Sequence, residues 1–111
     1  MIEKIVCDYI KGKLDVDAYP EEPTEAPIRY VLVEKTDSNV RNFIYHTTLS
    51  IASYDESMFR AAELDTGIRE ILSDIIENDE VVGIHITSSF VDTDTETKNY
   101  RYRTVVEITH Y

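Results

Sequence analysis

Two segments, residues 42–53 and 99–110, each alternate apolar and polar side chains for about twelve residues, and no other feature limits the fold as strongly. At about 3.3 Å per residue such a strand spans roughly 40 Å. A domain of this length has a radius of gyration near ~13 Å and a diameter of roughly 35 Å. Strand ends must therefore project beyond the core or pair with another copy, and bare edges on a lone molecule are a liability. In the first segment Phe43, Tyr45, Leu49 and Ile51 share one face, with Asn42, His46, Thr48 and Ser50 on the other. In the second, Tyr100, Tyr102, Val106 and Ile108 oppose Arg101, Arg103, Glu107 and Thr109.

The rest of the chain falls into order around these two strands. Ile2, Ile5, Val6, Tyr9, Ile10 and Leu14 recur at helical spacing over residues 2–14, with Cys7 flanking the stripe as a small apolar residue. Pro20, Pro23 and Pro27 make 15–27 an extended connection with room for a short edge strand at 16–19. Residues 28–35 read as a strand, and Asp37-Ser38-Asn39 as the turn after it. Ser53 and Glu56 have capping-box spacing, opening a helix that runs to about residue 77 with Met58, Ala61, Leu64, Ile68, Leu72 and Ile75 inward and Gly67 within it. Residues 81–91 form a strand with Gly83 as a bulge or contact point, and 92–98 a polar turn. The expected fold is α/β of the α+β type, a single domain over residues 1–111. A mostly antiparallel sheet of four to five strands carries two helices on one face, in the order α-β-β-β-α-β-β.

Composition excludes several classes. The chain has 111 residues, 42% hydrophobic, enough for one core and too much for intrinsic disorder. No apolar run approaches membrane-spanning length, and Glu3 and Lys4 interrupt what would be a secretory leader. A single cysteine excludes an internal disulfide and a cysteine-based zinc site, and fits a reducing compartment. A net charge of −11 disfavours adhesion to DNA or to anionic membranes.

That charge is concentrated. Asp15, Asp17, Glu21, Glu22 and Glu25 occupy one stretch, Asp74, Glu77, Asp79 and Glu80 a second, and Asp92, Asp94 and Glu96 a third, with no base in any of them. The other ten of the 22 acids share the remaining chain with all eleven bases, so the body is close to neutral. Acidic loops keep copies apart in solution. The sharper expectation is that the loops converge into one negative surface. The second stretch favours it, because acids closing a helix oppose the macrodipole by roughly 0.3–1 kcal/mol each.

No catalytic constellation stands out. His46, His85 and His110 fall on three strands without metal-ligand spacing, and serines have no placeable base and acid partners. Asp92-x-Asp94-x-Glu96 begins like a calcium loop but fails where Thr97 replaces glycine and Arg103 replaces the closing glutamate. Arg101 and Arg103 between Tyr100 and Tyr102 suit tyrosines on the core and arginines facing water or a partner's carboxylates better than base stacking. The expectation is a non-enzyme without cofactor or metal.

The whole chain resembles small tail-completion or tail-terminator proteins of long-tailed bacteriophages and Gram-positive prophages. The resemblance rests on the leading Met-Ile-Glu-Lys-Ile-Val-Cys-Asp-Tyr-Ile, Tyr19-Pro20-Glu21-Glu22-Pro23 and Tyr30 to Thr36. It continues through Ser50 to Tyr54, Ala61-Ala62-Glu63-Leu64, Asp92 to Lys98 and Tyr100 to Tyr111. It implies a virion structural protein made in the bacterial cytoplasm: a ring, usually a hexamer, at the tail end of the head–tail joint. Its partners would be further copies, tail-tube protein and head–tail connector proteins, with DNA only as passing cargo and no membrane. A negative lumen would keep that DNA from sticking. Expected subunit contacts are Asp37 to Arg41 and the 92–99 tip with Lys98, while Arg101 and Arg103 pair with a neighbour's acids. The alternatives are another neck connector, a cytosolic adaptor that adds a partner strand to a sheet edge, and a DNA mimic, which would need a regular row of carboxylates.

Overall fold

A computed structural model describes residues 1–93 and 100–111. Ile2, Val6 and Ile10 lie one above another on the buried side of helix α1 (Ile2–Leu14), with Cys7 beside them. The helix stops at Asp15, whose backbone turns left-handed (φ 51°) and whose N–H bonds Lys11 O at 3.2 Å. Strand β1 (Ala18–Tyr19) follows, and then the proline-rich link leads into β2 (Tyr30–Arg41) and β3 (Ile44–Tyr54). Helix α2 (Met58–Leu72), a 3-10 turn (Ile75–Glu77), β4 (Val81–Val91) and β5 (Arg101–His110) complete the order.

The five strands form one sheet in the order β1-β2-β3-β5-β4. All neighbours are antiparallel except the short β1–β2 pair, which is parallel, so the sheet is mixed. Both helices cover one face. Val6 and Ile10 of α1 and Leu64, Ile68 and Leu72 of α2 pack on Val31, Val33, Leu49, Ile51, Val106 and Ile108. Each such side chain contributes about 1.5–3 kcal/mol by leaving water. A second, smaller cluster lies on the opposite face, where Tyr30 and Tyr54 stack 4.4 Å apart over Leu32 and Ala52. Tyr30 Oη donates to Glu22 at 2.6 Å, tying the proline-rich link to this cluster.

Three local expectations are corrected. Asp37-Ser38-Asn39 is not a turn: β2 continues to Arg41, a bulge between Lys35 and Asp37 keeping its polar side chains off the core. Chain reversal occurs instead at Asn42-Phe43, both with positive φ (53° and 65°), in a two-residue connection closed by Arg41 opposite Ile44. The helix cap is Ser57, accepting from Arg60 N at 3.2 Å, while Ser53 is buried in β3 with Oγ unpartnered. The helix also ends sooner than expected, so the acids at 74 and 77 belong to the 3-10 turn, where Lys13 pairs with Glu77 at 3.2 Å. That bond holds the Glu77 carboxyl below its ordinary value.

Asp65 is fully buried on α2, inside the core face. It accepts from Thr104 Oγ1, from Ser89 Oγ at 2.9 Å and from Arg69 Nε at 3.0 Å, so a helix, β4 and β5 share one carboxylate. Gly67, by contrast, costs α2 about 1 kcal/mol relative to Ala. A Cβ there would meet only Leu14, at an ordinary 3.6 Å, so packing does not demand the glycine.

Two stability outcomes follow from these sites. Asp65→Ala removes the acceptor shared by the buried Thr104 hydroxyl, the half-buried Ser89 hydroxyl and Arg69, and should lower unfolding free energy by about 2–3 kcal/mol in urea titration. Phe43→Gly supplies the residue a positive-φ turn prefers, and should leave the thermal midpoint unchanged or raise stability by up to about 1 kcal/mol.

Candidate assembly surface

The strands outrun the helices. β2 is buried from Tyr30 to Val33 and exposed over its last eight residues, and the molecule measures 45 × 26 × 24 Å. Past the core, side chains hold the sheet together. Ser38 and Thr47 hydroxyls meet at 3.0 Å, Thr47 Oγ1 and His110 Nε2 at 2.8 Å, and the Tyr45 ring stacks on His110. Beyond this ladder stands the Asn42-Phe43 turn. Alternation places Phe43 on the core face, but it is 92% exposed.

On the helix-free face the projecting end is polar. Asp37, Asn39, Arg41, His46, His85 and Glu107 line a shallow depression of about 560 Å³. Imidazoles and carboxylates are both present, yet among the described residues no group of three is placed to hold a metal ion. The depression offers hydrogen bonds and charge to a broad contact.

At the other end of the same face the arginines turn inward. Arg101 Nε and Arg103 Nε lie 3.1 and 2.7 Å from Asp92 Oδ2. Arg101 also donates to Tyr54 Oη at 3.1 Å and Arg103 to Ser50 Oγ. Both guanidinium groups are thus engaged within the chain, clasping the end of β4 to β5. Of the other expected contacts, Asp37 lies opposite Thr48 on exposed β2, Arg41 closes that strand, and Lys98 lies outside the described residues.

The acidic stretches do not gather in the single chain. Residues 15–25 flank β1 and the Tyr30 end of the sheet, where Asp17 O accepts from Val31 N at 2.8 Å. Asp92 is at that same end but beside β4, the opposite edge, and Asp94 and Glu96 lie outside the described residues. Residues 74–80 lead into Val81 at the projecting end, with Glu80 O accepting from Tyr111 N. The length of β4, roughly 36 Å at about 3.3 Å per residue, separates them from Asp92. The expected convergence is thus not a property of one copy.

β4 is the other exposed boundary. Val81–Val91 contains no Lys, Arg, Asp, Glu or Pro, the usual guards of an edge strand, and only two bulges interrupt it. No helix among the described residues is long and apolar enough to cross a membrane. No protein-family model matches the chain, and no curated protein matches its sequence.

The clasp carries a pH signature. Burial works to raise the Asp92 carboxyl, but the hydrogen bond from Arg103 and the charges of Arg101 and Arg103 outweigh it, leaving it below the ordinary 3.8. A carboxyl lowered on folding stabilises the protein above its unfolded value and loses that contribution as pH falls through the folded one. Asp92→Asn should therefore cost about 1 kcal/mol at neutral pH. Urea titrations should find the gap to wild type closing below about pH 4.

Proposed function

We propose that this chain is a non-enzymatic, ring-forming structural subunit of the tail-terminator kind, seated at the tail end of the head–tail joint of a long-tailed bacteriophage or prophage. The observation that carries the reading is the sheet extending past its helical cover, with an exposed hairpin at its tip and an edge strand that carries no formal charge or proline. Such features are hazards in a monomer and useful in an assembly. The whole-chain resemblance points the same way. In a ring, acidic stretches separated in one copy are brought around a common axis, and those facing the hole repel passing DNA. Tail-tube and connector proteins are the neighbours this reading requires.

A second reading is favoured by β4 alone. An uncharged edge strand suits an adaptor that captures an extended peptide by strand addition. That reading requires a stable monomer or dimer with a defined peptide ligand.

Light scattering across a concentration series, with electron microscopy, separates the two. Rings of about six copies, formed alone or on tail-tube protein of the same genome, are the expected outcome. A monomer in both conditions rejects the ring and favours the adaptor.

A further inference from the structure

Two residues sacrifice local stability without return inside the chain. Phe43 holds a left-handed backbone (φ 65°) that glycine would adopt freely, and its ring is 92% exposed. Gly67 weakens the middle of α2 although a Cβ would fit there. An exposed aromatic on a strained turn is a knob, and Gly67, whose absent Cβ would face Leu14, keeps the neighbouring helix surface low. On the outer side of α2, Phe59, Ala62, Thr66 and Gly67 line a largely apolar recess of about 400 Å³, flanked by Glu63 and Glu70. Phe59 itself is 73% exposed.

Charge matches as well as shape. Arg41 stands beside the hairpin tip, and Glu63 and Glu70 beside the recess. Among the described residues none of the three has an ion-pair partner within 4.0 Å. The tip does not fill the recess of its own chain, since the Phe43 ring is left 92% exposed.

We propose that the Arg41–Ile44 tip of one copy docks into the shallow α2 recess of the next, Phe43 seating against Phe59 and Ala62 beside Gly67 while Arg41 meets Glu63 and Glu70. The contact is head-to-tail, joining different surfaces of the two copies, and such contacts close into rings when the rotation permits. The inference rests on the ring reading for its biological setting, but the contact itself is testable without a ring.

The test pairs Asn42→Cys, which leaves the Phe43 ring in place, with Thr66→Cys at the recess, under a bismaleimide cross-linker. Cys7 is buried, with burial pushing its thiol up to about 11, so the introduced thiols are the reactive ones. A ladder of covalent oligomers is expected from the double variant and none from either single variant. In parallel, Phe43→Gly should melt no lower than wild type yet need at least tenfold more protein to assemble. Wild-type rings with no cross-link, or with Phe43→Gly assembling normally, overturn the docking and leave the ring reading standing. Cross-linked ladders without rings keep the docking and reject the ring. No assembly of the wild-type chain together with no cross-link in the double variant overturns both.

Discussion

The difference in rise between a strand and a helix governs this molecule. A helix advances about 1.5 Å per residue and a strand about 3.3 Å. Helices of 13 and 15 residues therefore reach only about 20 Å along strands of 10 to 12 residues that run nearly twice as far. Two helices of this length cannot cover that sheet on even one face. Something else must stabilise the overhang, and the Ser38–Thr47–His110 ladder with its stacked Tyr45 does so. The overhang is then a cross-linked extension of the sheet, hydrogen-bonded from β2 through β3 to β5.

Polar groups placed inside the layers fix how these layers sit. Asp65 could have been leucine on hydrophobic grounds, but its carboxylate orients α2 over Ser89 and Thr104, which an apolar contact would leave free to slide. On the other face, the Asp92 clasp fastens the edge strand β4 to β5, and the Tyr30–Tyr54 stack joins β2 to β3. The proposed docking uses what these devices leave over: a tip held firmly and a helix face held still.

Much of the architecture was legible in the sequence because burial follows periodicity. The stripes of residues 2–14 and 58–75, and the alternation in β5, placed both helices and the sheet. What failed was local. Asp37-Ser38-Asn39 has turn chemistry, but β2 there is uncovered, so polar residues are what an exposed strand would carry. The true turn at Asn42-Phe43 contains no glycine and hence gave little signal. Ser53 lost the capping role to Ser57 because its strand continues into the core. Asp65 was invisible, since a carboxylate on the inner side of a helix reads as surface until its partners from β4 and β5 are in place. The acidic stretches were evident as charge, but spatial convergence is a tertiary property that no spacing encodes.

The bulges at Thr36, Val82 and Thr87 bear on how this chain tolerates changes in length. Elsewhere in a strand, losing one residue moves every later side chain to the wrong face. At a bulge the extra residue has no opposite number, so removing it restores regular pairing and leaves the facing of the remainder intact. Single deletions should thus be tolerated better at these three positions than within the buried stretch of β2, making the bulges natural sites of length variation.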